Sequence, residues 1–213
     1  MFAHSSSFVI YAMRYINYIN MKNKLLAAIS FIGAPCLAID FYRNAKAGEH
    51  WSIPTLTSIL DILYMAGWVC TMLAFIRMQA NGTQKAARIL LYVQLSFLLV
   101  AGLSDLVTLL KIPVPQNIFF YWDLFWPLSN CLMLVTGITI AVAGRLHGWR
   151  RWVPLITGLW LPVTLFVKIY LSPEYMAYIG GTYSLIMWTL LAYVAHINNE
   201  HRSEYKMESI SVA

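Results

Sequence analysis

Apolar residues gather into six long runs, 24–42, 53–76, 88–110, 118–143, 152–171 and 175–197, which take up most of the chain. A hydrocarbon layer about 30 Å thick is crossed by roughly 20 helical residues, so each run is long enough to span it. Polar and chain-breaking residues separate the runs: Asn44 to Gly48, Asn81-Gly82, Pro113 with Pro115, Gly144 to Gly148, and Ser172-Pro173. Such clusters stop helices and form tight turns. The pattern predicts an all-α polytopic membrane protein, a six-transmembrane-helix bundle with short loops. The membrane domain covers 21–198 and a cytoplasmic tail 199–213.

Residues 1–20 break the pattern. Phe8 to Tyr18 is apolar but short, with Arg14 inside it, so this stretch is expected to be an N-terminal extension or an amphipathic helix lying in the interface. Met21-Lys22-Asn23-Lys24 followed by Leu25-Leu26-Ala27-Ala28 looks like a natural start and also like a signal peptide, with Cys36-Leu37-Ala38 as a poor cleavage site. The apolar run continues to Tyr42, which favours an uncleaved helix.

Lys and Arg set the expected orientation, because short cytoplasmic loops are enriched in them. The N-terminal segment has Arg14, Lys22 and Lys24, the second loop Arg77, Lys85 and Arg88, the fourth Arg145, Arg150 and Arg151, and the tail Arg202 and Lys206. The first, third and fifth loops are poorer in cations: Arg43 and Lys46 are offset by Glu49, Lys111 stands alone, and Ser172-Pro173 is followed by Glu174. Both termini are therefore expected in the cytoplasm. Short loops and this bias suit a bacterial inner membrane.

Composition agrees. Of 213 residues, 60% are hydrophobic and 11% charged, against about 25% charged in soluble domains. The net charge of +6 belongs to these loop cations, so no nucleic-acid partner is inferred. Cys36, Cys70 and Cys131 lie inside apolar runs without metal or disulfide spacing and read as packing residues. His4, His50, His147, His196 and His201 sit at the periphery, so no haem, metal site or other cofactor is indicated.

The chemistry lies in ionisable residues within the spans, which are costly there and usually face the bundle interior or a wet cavity. All fall in the outer half. At 1.5 Å per residue, Asp61 lies about 12 Å and Asp123 about 8 Å below the outer starts of the second and fourth helices. Asp40, Asp105 and Lys168 lie near the outer ends of the first, third and fifth. Helical spacing places Thr57, Asp61, Tyr64 and Trp68 on one face, Gln94, Leu98, Ala101 and Asp105 on another, and Asp123, Trp126, Pro127 and Asn130 on a third. If every Asp were ionised, Lys168 could not balance them. Either some are protonated or a cation is bound. The candidate substrate- or ion-binding residues are accordingly Asp61, Asp105, Asp123, Lys168, Asn130, Trp126 and Tyr64. Trp68, Trp160 and Trp188 read first as bundle packing.

No nucleophile elbow, zinc-protease pair, P-loop or CxxC is present. Three functions fit. A transporter or channel-like protein for a proton, cation or cationic small molecule comes first. A membrane-embedded enzyme acting on a lipid or other apolar substrate comes second, and a non-catalytic sensor or assembly subunit third. Expected partners are membrane lipids, a small molecule or cation, and a second copy or partner subunit.

Overall fold

The computed structural model describes residues 23–47 and 54–211. The N-terminal extension over 1–20, with Arg14 and His4, and the first-loop residues Glu49, His50 and Trp51 lie outside the described residues. Among those described, every regular element is helical. In chain order they are α1 (Asn23–Ala45), α2 (Pro54–Met78), α3 (Lys85–Leu109), α4 (Gln116–Ala143), a 3₁₀ turn (Gly148–Trp152), α5 (Val153–Gly158), α6 (Trp160–Tyr170) and α7 (Pro173–Ser211). Five helices are long and apolar enough to cross a membrane, or up to six if the bent pair α5–α6 forms one crossing.

The exterior is unlike that of a water-soluble bundle, and the apolar core also takes in polar side chains. Val142 is 82% exposed and Ile169 72%, while Gln94, Ser129, Thr136 and Thr157 are each 0% exposed. An apolar exterior around buried hydroxyls and amides is stable where lipid is the solvent and the polar groups satisfy one another inside. This marks an integral membrane protein. Many of the buried polar groups are engaged. Thr136 Oγ1 donates to Gln94 Oε1 at 2.5 Å and Gln94 Nε2 to Met133 Sδ at 3.3 Å, tying α3 to α4. The Thr157 and Thr164 hydroxyls bond back to the carbonyls of Val153 and Trp160.

Neighbours in sequence pack as neighbours in space, α1 with α2, α2 with α3 and α3 with α4. The last helix closes the ring by packing on α1, α2, α5 and α6. Small residues allow two close crossings. A Cβ on Gly67 of α2 would stand 3.0 Å from the Cα of Gly33 on α1, and one on Gly158 of α5 would stand 2.5 Å from the Cα of Leu134 on α4. Lipid gives helices no hydrophobic reason to associate, so such backbone contact supplies the attraction.

The run 152–171, expected as one helix, is two, bent by 44° at Leu159. Pro162 has no N–H to offer the carbonyl of Gly158 one turn earlier, and its ring crowds that turn. The Leu159 N–H bonds back to Leu155 and Ile156 instead. Pro127, by contrast, sits inside an unbroken α4. It leaves only the Asp123 carbonyl without a helical donor. The final helix also runs past 197 to Ser211 without a break.

Candidate functional site

The carboxylates meet at one end of the bundle because the helices alternate in direction. Asp61 lies about two turns into α2 and Asp123 about two turns into α4. Asp105 is about one turn from the end of α3, and Asp40 is close to the end of α1. Packing of α1 on α2, α2 on α3 and α3 on α4 then sets the four at similar height.

They divide into two kinds. Asp40 is 6% exposed and fully occupied. It accepts from Asn44 Nδ2 at 2.8 Å and from Thr57 Oγ1 at 3.0 Å, with Arg43 Nη1 at 3.8 Å. Thr57 lies in the first turn of α2, so Asp40 fastens the end of α1 to the start of α2. Asp40→Ala would leave those buried groups unpaired, which costs about 1–3 kcal/mol. We expect a melting temperature several degrees lower in detergent, followed by circular dichroism. An unchanged melt would show that the fastening contributes nothing.

Asp61, Asp105 and Asp123 are the second kind. Among the described residues none of the three has a side-chain hydrogen bond or an ion pair. The charges acting on them are other carboxylates. Asp61 lies within electrostatic reach of Asp105, Asp40 and Asp123, and Asp105 within reach of Asp123. Asp61 and Asp105 are half-buried and Asp123 is exposed, so the group opens from the bundle interior to the outside of α4. Among the described residues no three His, Cys, Asp or Glu side chains close on a point where a metal ion would be held.

Lys168 does not join them. It is exposed on α6 near the helix end at Tyr170, and it is not among the charges acting on Asp61 or Asp105. A lysine so placed near a helix end can lay its stem along lipid and bring its ammonium to the interface. The pattern of α6 is apolar nearly all round, so periodicity alone could not select the face on which Lys168 falls.

Below the carboxylates lies an aromatic layer. Tyr64, one turn from Asp61, is 1% exposed and stacks on Trp188 of α7 at 5.7 Å between ring centroids, with an interplanar angle of 16°. Trp68 touches both, at 5.7 Å from Tyr64 and 4.9 Å from Trp188. The Tyr64 hydroxyl stands beside the Trp126 indole without closing a hydrogen bond of ordinary geometry. Trp126 meets Trp160 edge-on at 5.7 Å, and Trp160 Nε1 donates to the Gly180 carbonyl at 2.9 Å. Asn130, 2% exposed, donates to the Trp126 carbonyl at 3.1 Å within its own helix. It therefore supports Trp126 and does not reach the carboxylates.

Sequence reasoning passed over Ser30 and Thr71, whose hydroxyls meet at 3.3 Å between α1 and α2 just beyond Trp68. Two small hydroxyl residues in mid-span were the only signal. It also treated Trp68 and Trp188 as plain packing, although both indole nitrogens are buried without a partner. Set beside protein families, curated proteins and solved structures, the chain matches none. Function has to be argued from the site alone.

Proposed function

We propose that the chain is a transporter or channel-like protein that takes a proton, a cation or a cationic small molecule at the Asp61–Asp105–Asp123 cluster. The observation that supports this most is three carboxylates on three helices, in mutual electrostatic reach and without a protein cation or hydrogen-bond donor of their own among the described residues. Unpaired charge in a membrane interior is costly, and a guest of opposite charge is the simplest compensation. Their spacing favours a proton or a monovalent or organic cation over a chelated divalent ion.

The reading counts α5–α6 as one crossing, which makes six and brings both termini to the same side. Arg77, Lys85 and Arg88 between α2 and α3, and Arg145, Arg150 and Arg151 between α4 and α5, lie at the end opposite the carboxylates. Positive loops face the cytoplasm, so the cluster opens outward, as it would in a bacterial inner membrane. Tyr64 and Trp126 form its floor.

Purified protein in liposomes, with a negative-inside potential, tests this by entrapped pH dye and by radiolabelled alkali or quaternary ammonium ions. Wild-type uptake above that of empty liposomes, lost in Asp61→Asn and reduced in Asp105→Asn and Asp123→Asn, is expected. Uptake that survives all three substitutions, or no uptake by the wild type, would refute the assignment.

A further inference from the structure

A small hollow lies between α1, α2 and α7, one turn further from the carboxylates than Tyr64. Ser30, Ala34, Tyr64, Trp68, Thr71 and Trp188 line it, and it has room for about one water molecule. Its wall is unusual in chemistry. Trp68 Nε1 and Trp188 Nε1 are buried with no hydrogen-bond partner, and so are Tyr64 Oη, which stands beside the Trp126 indole, and Ser184 Oγ, one turn before Trp188 on α7. Tyr64, Trp68 and Trp188 are 1%, 3% and 5% exposed. Buried donors in native proteins are almost always satisfied, by protein or by ordered water. Trp160 Nε1, also buried, is satisfied by the Gly180 carbonyl.

The opposite wall offers oxygen. Thr71 Oγ1 donates to the Gly67 carbonyl at 2.9 Å and Ser30 Oγ to the Leu26 carbonyl at 2.9 Å, and the two hydroxyl oxygens stand 3.3 Å apart. Each hydroxyl oxygen keeps lone-pair capacity. The surroundings narrow the guest. Tyr64 and Trp188 lie nearly parallel against each other, so those ring faces are covered and cannot hold a cation. Donors of this kind suit an anion, but Asp61 lies about two turns away on the same helix face and disfavours it. A neutral molecule that both accepts and donates is left.

We propose that this hollow is a hydration site, whose water links the Tyr64 hydroxyl and the two indole N–H groups to the Ser30–Thr71 pair and carries the acidic site inward as a proton path. Asp61, Tyr64, Trp68 and Thr71 follow one stripe of α2, so the path gains about 15 Å from Asp61 to Thr71. The hop is balanced. A proton from the acidic side binds the Tyr64 oxygen as the proton already there passes to the water. The water gives one of its own to Ser30 Oγ, and the Ser30 hydroxyl releases its original proton to a water molecule entering from the cytoplasmic end, so no oxygen keeps an extra proton. The indoles hold the water in place and move no proton. The transport consequence rests on the function proposed above; the hydration site does not.

The two parts are tested separately. Protein labelled with [15N]tryptophan and otherwise deuterated, in lipid nanodiscs, shows whether water exchanges magnetisation with each indole N–H. Trp68→Phe and Trp188→Phe assign the two signals, and the exposed Trp152 serves as the wet reference. Water contact at both buried indoles is expected. Its absence at both, with contact at Trp152, overturns the hydration site. In liposomes, Tyr64→Phe keeps the ring and is expected to slow proton uptake at least roughly tenfold. If Tyr64→Phe carries protons as the wild type does while Asp61→Asn does not, the inward path is wrong and the acidic site stands. If uptake survives Asp61→Asn, Asp105→Asn and Asp123→Asn alike, the transport function falls and the hydration site is judged by the indole signals alone.

Discussion

Asp61→Asn is expected to silence uptake and also to raise the melting temperature, by a few degrees. Both outcomes have one cause. Asp61 is the carboxylate that feels all the others, Asp105, Asp40 and Asp123, and among the described residues nothing donates to it. Removing its charge breaks no bond and relieves repulsion in a poorly solvated place. A buried charge without a partner is a net cost to the fold. Asparagine keeps the shape and drops that cost. A gain of about 1–2 kcal/mol is reasonable, equal to roughly 2–4 °C for each kcal/mol in a chain of this size. Sites kept for function are commonly bought with stability in this way. Thermal unfolding in one detergent, followed by circular dichroism beside the liposome assay, decides it. A melting temperature several degrees lower in Asp61→Asn would mean that the carboxylate holds the bundle together, as Asp40 does, and would remove the reason for calling it a binding group.

The largest effect on folding is expected at Gly158 and Gly137, where α5 and α4 touch through their backbones. A Cβ on Gly158 would lie 2.5 Å from Leu134 Cα and 2.6 Å from Leu134 N, and one on Gly137 would strike the Leu155 backbone. Main chain cannot swing aside as a side chain does. Each Gly→Ala change should cost about 1–3 kcal/mol through overpacking. Gly158→Leu should leave no monodisperse protein in size-exclusion chromatography. Gly102 is the control, because nothing lies within 4 Å of its added Cβ. Gly102→Ala should be neutral or gain about 0.5–1 kcal/mol through helix propensity. Equal behaviour of Gly102→Ala and Gly158→Ala would show that the crossing is not close.

How far these features were legible beforehand depends on the physics behind each. Apolar runs report the solvent around a helix, so the first four spans could be placed from sequence to within a few residues, while the break in the fifth and the extension of the last to Ser211 could not. The height of Asp61, Asp105 and Asp123 follows from counting residues along helices of alternating direction. The facing of Lys168 and Asn130 did not follow. Helices that are apolar nearly all round carry little information about which side meets a neighbour. Pro162 inside the fifth run was a visible breaker, yet Pro127 in the fourth leaves its helix unbroken, so proline alone does not tell a bend from a tolerated interruption. The indole nitrogens of Trp68 and Trp188 were hidden for another reason. Tryptophan counts as apolar in any hydrophobic pattern, and only a structure shows that its one donor has nowhere to go.

The contact between Trp68 and Trp188, with ring centroids 4.9 Å apart at 44°, has an optical consequence. Two indoles this close and inclined to one another share their electronic excitation. They should give a paired positive and negative band in circular dichroism that neither would show alone. Because one ring comes from α2 and the other from α7, that couplet would report, without any label, whether the first and last parts of the chain have come together.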